Sequence, residues 1–327
     1  MMLLAPLAVA ALLLQTDPGK PELVDVRLVS NEANYSAFTD LVWFRDAWFL
    51  SFREGRAHVS PDGALRVVTS PDGETWTTVA RLTSETGDLR DPKLSITPDG
   101  RLMLAGVSAL NPPSEIKHQS MVWFSKDGRE WTEGKPIGEP NIWIWRPAWH
   151  KGTAYGVGYA TALPEKFTRL YSSPDGVDFK PLVQTLSNNG FVNESTLLFL
   201  PDDSALCLTR RDGQGAAGTA LLGRSQPPYT EWTWKDLGMH LGGPNLLRLP
   251  DGRFVAGGRS HVGPVHTALA WLDPETGKLE EFLTLPSNGD SSYPGLVWRD
   301  GLLWVSYYSG HEGKTSVYLA RVKLPAN

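Results

Sequence analysis

Short apolar stretches alternate with polar turns along almost the whole chain. Pairs of such stretches flank turns that contain Asp, Gly or Lys, and the pattern of a strand, a tight turn and a second strand indicates a β-hairpin. The turns are centred on six residues, Asp46, Asp99, Lys151, Asp202, Asp251 and Asp300. The pattern predicts an all-β protein without long helices.

The spacing of these hairpins predicts a particular fold within the all-β class. Successive turn centres lie about 50 residues apart, which is within the range of four-stranded propeller blades. Six centres predict a six-bladed β-propeller of four-stranded antiparallel sheets in one domain over residues 22–325. A strand-like segment, Glu22 to Ser30, precedes the first hairpin, while the last blade runs out near Val322. We expect the N-terminal strand to complete that blade and close the ring.

A second motif stands between the hairpins. Residues 70–76 and 125–131 both read S-x-D-G-x-x-W, and residues 173–179 keep the motif with Phe in place of Trp. The Asp can accept hydrogen bonds from amides of its own turn, the Gly supplies a positive φ, and the aromatic ring packs back between strands. We therefore interpret the motif as structural. The three copies resemble the Asp-box (BNR) repeats of the sialidase-like propellers, and residues 225–232 and 273–279 hold degenerate copies.

Composition narrows the functional classes. The 327 residues carry 31 Lys and Arg against 36 Asp and Glu, a formal net charge of −5, so the chain lacks the basic surplus typical of nucleic-acid binding. A single cysteine, Cys207, excludes a disulfide scaffold and a multi-thiolate zinc site. The histidines show no metal-ligand spacing. We expect no metal, no cofactor and no nucleic-acid partner, and we expect a monomer.

The N-terminus suggests export. The only long apolar run, Met2 to Leu14, is too short to span a bilayer and has the position of a signal peptide. We predict a signal peptide over residues 1–16, a periplasmic or extracellular protein and no transmembrane anchor. Because no Lys or Arg precedes the run, a cytoplasmic chain with an apolar tail is the alternative.

In a propeller, the position of a residue within its blade indicates whether it lies on the face that binds ligands. Residues just before the innermost strands, and loops leaving the second strands, form the face that generally binds ligands. Three such residues, Asp91, Glu194 and Tyr293, suit glycoside cleavage: a phenol as nucleophile, a carboxylate to take its proton, and a carboxyl to protonate the leaving oxygen. Arginines could bind a carboxylate on the sugar. The candidates are Arg53, Arg56, Arg146, Arg210 and Arg259.

Around these residues the chain resembles the sialidase (neuraminidase) family of bacteria and animals, over nearly its entire length after the leader. The resemblance is carried by residues 87–94 (GDLRDPKL), by residues 193–197 (NESTL) followed by 208–210 (LTR), and by residues 292–296 (SYPGL). It implies an exo-acting retaining hydrolase that removes terminal sialic acid, or a related acidic sugar, from glycans.

The resemblance also implies a role for each matched residue. Tyr293 would be the nucleophile, Glu194 the group that activates it and Asp91 the acid/base. Arg210 would bind the carboxylate of the sugar.

Two departures leave the sugar open. The family begins its first inner strand with Arg-Ile-Pro, but residues 36–41 here read SAFTDL, and residues 241–245 (LGGPN) lack the family's third arginine. We expect Arg146 and Arg259 to compensate, with Arg53 and Arg56 as further candidates. Two alternatives remain: a glycosidase of different sugar specificity, and a noncatalytic propeller that binds glycans or proteins.

Overall fold

The computed structural model describes residues 19–112 and 114–326, with Ala216 by its backbone only. Its 24 strands form six four-stranded antiparallel sheets. The predicted six-bladed β-propeller is confirmed. A single 3₁₀ turn, Gly215–Gly218, is the one helical element of the described residues.

Each of the first three blades uses four consecutive strands, from the inside of the ring outward. Blade 1 comprises β2 (Tyr35–Phe44), β3 (Ala47–Gly55), β4 (Ala64–Ser70) and β5 (Thr77–Leu82). Blade 2 comprises β6 (Gly87–Ile96), β7 (Leu102–Leu110), β8 (His118–Ser125) and β9 (Lys135–Ile137). Blade 3 comprises β10 (Ile142–His150), β11 (Thr153–Ala160), β12 (Thr168–Ser173) and β13 (Lys180–Ser187).

The other three blades follow the same order, except that the last takes its fourth strand from the start of the chain. Blade 4 comprises β14 (Phe191–Phe199), β15 (Ala205–Asp212), β16 (Leu221–Ser225) and β17 (Thr233–Asp236). Blade 5 comprises β18 (Leu241–Arg248), β19 (Phe254–Ser260), β20 (His266–Asp273) and β21 (Lys278–Leu285). Blade 6 comprises β22 (Ser292–Arg299), β23 (Leu302–Ser309), β24 (Ser316–Lys323) and β1 (Glu22–Ser30).

The N-terminal strand closes the ring as expected. β1 pairs antiparallel with β24, from Glu22 opposite Lys323 to Ser30 opposite Val317. This pairing joins the two ends of the described chain within one sheet and covers an edge of β24 that would otherwise be exposed.

The hydrophobic core lies between neighbouring blades. Between blades 1 and 2, for example, Leu65 of β4, Leu89 of β6 and Leu104 of β7 pack together with at most 1% of their surface exposed. Equivalent clusters fill the other five gaps. Burial of this apolar surface holds the sheets at the angles that direct all six inner strands toward one central channel.

All six inner strands have the same irregularity near their start. Two residues of the inner strand stand where the second strand offers one, as in a β-bulge. The pairs are Phe38-Thr39, Asp91-Pro92, Arg146-Pro147, Asn193-Glu194, Gly243-Pro244 and Tyr293-Pro294. A bulge turns side chains away from the alternation of a strand, so six such residues surround one mouth of the channel.

The Ser-x-Asp-Gly turns join third and fourth strands. In the first of them, Asp72 Oδ1 accepts hydrogen bonds from the amides of Glu74 at 2.8 Å and Thr75 at 3.1 Å. Ser70 Oγ accepts one from the amide of Gly73, which has a φ of +75°. Asp127 and Asp175 make the same contacts in blades 2 and 3. These carboxylates therefore serve their own turns.

The predicted signal peptide, residues 1–16, lies outside the described residues. Within residues 19–112 and 114–326, none of the helical structure is long and apolar enough to cross a membrane.

Candidate active site

Tyr293 and Glu194 meet at the ring of bulges. The phenol of Tyr293 donates a hydrogen bond to Glu194 Oε1 at 2.5 Å, although the two residues are 99 positions apart in the chain. Both are buried, with 5% and 6% of their surface exposed. The bulges of β14 and β22 bring a hydroxyl and a carboxylate into direct contact in a site shielded from solvent.

Arg210 joins this pair from the second strand of blade 4. Its Nη1 donates to Glu194 Oε2 at 2.9 Å and to the oxygen of Tyr293 at 3.0 Å, and its Nε donates to Asp212 Oδ1 at 2.9 Å. The amide of Gly243 donates to the same Glu194 Oε2 at 2.9 Å. Glu194 thus accepts three hydrogen bonds that hold its carboxylate in one orientation.

These contacts determine the protonation of the pair. Burial by itself would raise the pKa of Glu194, but the charge of Arg210 and the hydrogen bonds from Tyr293, Arg210 and Gly243 lower it below the usual glutamate range. Burial and the negative charge of Glu194 raise the pKa of Tyr293 well above the usual phenol range. At neutral pH the glutamate is ionised, the phenol is protonated, and the proton lies in the bond between them.

Asp91 has the opposite shift from Glu194. It lies in the bulge of β6 with a φ of +50° and 6% of its surface exposed. Burial raises the pKa of Asp91 and the charge of Glu194 raises it further, against the opposing charges of Lys93 and Arg90. Two carboxyl groups with pKa values shifted apart can act as a proton donor and a proton acceptor in one site.

Sequence reasoning missed Lys93, two residues after Asp91. Its Nζ donates to the carbonyl of Thr39 at 3.0 Å and lies 5.2 Å from the ring centre of Trp145 and 5.7 Å from that of Tyr293. Burial lowers the pKa of Lys93 to about 8, and the charge of Arg146 acts in the same direction. A lysine within the apolar inner strand 92–96 was the available signal.

Gly243 was not predicted either, because residues 241–245 were notable only for lacking the family's third arginine. With a φ of +58°, Gly243 lies against the ring of Tyr293, and a Cβ there would lie 2.6 Å from ring carbons. Phe38 occupies the corresponding bulge in blade 1 and packs its edge against Tyr293, with ring centres 5.1 Å apart. The two segments that lack the family's arginines therefore place Gly243 and Phe38 against the ring of Tyr293, the nucleophile candidate.

Of the other predicted arginines, Arg259 packs against Tyr293. Its guanidinium is 5.5 Å from the ring centre of Tyr293. Its Nη2 donates to Asp290 Oδ1 at 2.7 Å and to the oxygen of Tyr308 at 2.9 Å, and its Nε donates to the carbonyl of Ser291. Arg210 and Arg259 are thus brought to the site, each with partners from the chain.

The remaining arginines point elsewhere. Arg146 donates to Asp40 Oδ1 at 2.7 Å and to the carbonyl of Pro294, so its guanidinium lies across the channel among the inner strands. Arg53 is fully buried, donates to Asp88 Oδ1 at 2.8 Å and ties down the loop after β3. Arg56 has a side chain that is 72% exposed, beside Asp62.

Among the described residues, no group of three or more His, Cys, Asp or Glu side chains is arranged to hold a metal ion.

The sequence matches no protein-family model and none of the curated proteins. Solved structures do match. A protein of unknown function from Dyadobacter fermentans superposes with a TM-score of 0.81 at 21% identity, over 94% of this chain and 100% of that one. The GH93 α-L-arabinofuranosidase of Fusarium graminearum, in complex with arabinobiose, gives 0.70 at 15% identity over 92% and 98%.

A sialidase is also among the neighbours. The Trypanosoma rangeli enzyme in complex with the inhibitor DANA gives a TM-score of 0.69 at 12% identity, over 88% of this chain and 55% of that one. This chain therefore spans about half of the sialidase. At these identities the likeness shows the fold alone: the neighbours include two kinds of six-bladed propeller glycosidase.

Proposed function

We propose that the protein is a glycoside hydrolase that cleaves with retention of configuration through Tyr293. The observation that carries the proposal is the 2.5 Å hydrogen bond from the buried Tyr293 phenol to the ionised Glu194. Asp91, with its raised pKa, supplies the proton donor. A structural tyrosine would need neither a charged acceptor nor a neighbouring carboxyl shifted in the opposite direction.

The first step forms a glycosyl-tyrosine. The oxygen of Tyr293 attacks the anomeric carbon while its proton passes to Glu194. The bond from that carbon to the leaving oxygen breaks, and the leaving oxygen takes the proton of Asp91. Arg210 Nη1, which already donates to the phenol oxygen at 3.0 Å, stabilises negative charge that develops there.

The second step reverses the proton movements. Asp91, now ionised, takes a proton from a water molecule whose oxygen attacks the anomeric carbon. The bond between the sugar and Tyr293 breaks, and Glu194 returns its proton to the phenol. Two displacements at one carbon restore its configuration, as in other retaining glycosidases.

The phenol must stay close to neutral until attack. Its raised pKa means that Tyr293 carries no charge in the resting site, so Glu194 has to take the proton as the new bond forms. This explains why the site places the glutamate within 2.5 Å of the hydroxyl, and why three donors hold that glutamate in position.

The test is hydrolysis of a panel of aryl glycosides by the wild type, by Tyr293→Phe and by Tyr307→Phe. Tyr307 is a matched control because it is also buried in blade 6, but its hydroxyl donates to the carbonyl of Pro286 outside the site. We expect Tyr293→Phe to lower kcat by about 10³-fold or more and Tyr307→Phe to change it little. Mass spectrometry after an acid quench should find the sugar on a peptide containing Tyr293.

Equal turnover by wild type and Tyr293→Phe would reject the nucleophile. No turnover of any glycoside by the wild type would favour a noncatalytic propeller.

A further inference from the structure

A carboxylate of the chain itself lies at the mouth of the site. Asp290, just before β22, accepts hydrogen bonds on Oδ1 from Arg259 and from the hydroxyl of Tyr308, each at 2.7 Å. On Oδ2 it contacts His58 Nδ1 at 2.8 Å and accepts a hydrogen bond from the hydroxyl of Tyr35. Each oxygen thus has two partners, which is the usual capacity of a carboxylate oxygen.

These four partners come from distant parts of the chain. Tyr35 begins β2, His58 follows β3, Arg259 lies in β19 and Tyr308 lies in β23. Converging donors that include a guanidinium are what a protein uses to bind a carboxylate. The hydrogen bonds of His58, Tyr35 and Tyr308 outweigh the effect of burial and hold the pKa of Asp290 well below the usual aspartate range. The donor cluster is therefore already filled by an ionised side chain.

Three further arginines near the channel are also paired with acids of the chain, whereas the buried Lys93 donates to the carbonyl of Thr39. Arg210 pairs with Glu194 and Asp212, Arg146 with Asp40, and Arg53 with Asp88. The ammonium of Lys93 lies against the rings of Tyr293 and Trp145. An acidic sugar entering here would meet guanidinium groups that already have carboxylate partners.

We propose that Asp290 makes this site selective for uncharged glycosides, because it occupies the donors that a substrate carboxylate would need and adds negative charge beside them. The inference rests on the proposed hydrolase and names its substrate class. It departs from the acidic sugar that the sequence led us to expect. A sugar carboxylate here would be repelled by Asp290 and by the ionised Glu194, and it would lose water without gaining an unoccupied guanidinium.

Hydroxyl groups of a neutral sugar fit the same surroundings. The Asp290 side chain is 38% exposed, so its carboxylate can still meet a hydroxyl group of a sugar at the channel mouth. Asp290 is thus a specificity-determining residue, distinct from the three groups that carry the chemistry.

The test measures binding and hydrolysis separately. Calorimetric titrations of the wild type use L-arabinose and D-galactose as neutral probes, and N-acetylneuraminate and D-glucuronate as anionic ones. We expect a neutral sugar to bind at least about tenfold more tightly than either anion. Asp290→Ala should raise the ratio of anionic to neutral affinity by about tenfold or more, since it frees Arg259 and removes the repulsion. Asp290→Asn, which keeps the shape, should change it in the same direction.

Asp62→Asn is the matched control. It removes one negative charge beside the exposed Arg56, outside the donor cluster, and should leave the ratio unchanged. The proposal is overturned if wild type binds an anionic sugar as tightly as the neutral ones, if no neutral sugar binds, or if both Asp290 variants fold and keep the wild-type ratio.

Hydrolysis of aryl arabinofuranosides and aryl sialosides separates this failure from that of the proposed function. Neutral-selective binding without turnover would refute the hydrolase and keep the selectivity, whereas turnover of the sialoside by wild type would refute the selectivity and keep the hydrolase.

Discussion

The two ends of the propeller use acidic and aromatic residues in opposite ways. At the turn end, Asp72 accepts amides two and three residues ahead of it in the chain, is exposed, and has a pKa lowered by those backbone hydrogen bonds. At the channel mouth, Glu194 and Asp91 are buried and have pKa values shifted apart, and Glu194 takes two of its partners, Tyr293 and Gly243, from other blades. Carboxylates satisfied within a turn support folding, whereas the buried carboxyl groups at the channel mouth have the shifted pKa values that the proposed chemistry needs.

The contrast extends to the glycines. Gly73 and Gly243 both have positive φ, and a Cβ on either would meet an aromatic ring, that of Trp304 or that of Tyr293. The missing side chain leaves room for Trp304 beside a packed turn in one case, and for Tyr293, the nucleophile candidate, in the other.

The largest expected effect comes from comparing Glu194→Gln, at the channel mouth, with Asp72→Asn, at the turn end. The first removes the acceptor of the Tyr293 proton and should lower kcat by about 10³-fold, within the range of general-base losses. The second should leave kcat/KM unchanged. Steady-state kinetics on one aryl glycoside measure both, and similar activity losses in the two variants would contradict the division between the two ends.

The next effect concerns pH. The proposed mechanism requires ionised Glu194 and protonated Asp91, so kcat/KM should rise with pH through a limb below the usual glutamate range and fall through a limb above the usual aspartate range. Asp91→Asn should remove the alkaline limb and cost about 10²-fold on substrates with poor leaving groups, less on dinitrophenyl glycosides. An alkaline limb that persists in Asp91→Asn would assign the acid to another group.

Gly243→Ala should have a smaller effect than these. The new Cβ displaces the ring of Tyr293, and a shift of less than an ångström should lower kcat by roughly tenfold to hundredfold. Gly73→Ala, its counterpart at Trp304, should lower the melting temperature without lowering kcat. Kinetics and thermal melts on both variants separate the outcomes, and an unchanged kcat in folded Gly243→Ala would show that this contact does not position the phenol.

The smallest effect is on acid stability. The lowered pKa values of Asp127 and Asp175 mean that these carboxylates stabilise the fold above their unfolded pKa of about 4, and that this contribution is lost as pH falls through their folded values. Thermal melts between pH 7 and pH 2 should show a shallower acid decline when both are changed to Asn. An identical decline would mean that other carboxylates control it.

Much of the architecture could be predicted because the signals are local. A turn such as Asp300-Gly301 or Asp72-Gly73 is specified by a few neighbouring residues, and its hydrogen bonds close within four positions. The repeat of such turns implied the number of blades. The residues Asp91, Glu194 and Tyr293 could be named because each stands at the start of an inner strand.

The ion pairs and the burial of residues around the channel, by contrast, depended on the tertiary structure. Asp290 and Tyr35 lie 255 positions apart and Arg146 and Asp40 lie 106 apart. Only ring closure could therefore show that Arg259 and Arg146 already have acidic partners. The role of Lys93 likewise depends on burial that no local pattern reports. The order of residues determined the hairpins, since a turn closes over a few bonds, whereas burial and opposing charge, which set pKa values and selectivity, exist only once six blades surround one channel.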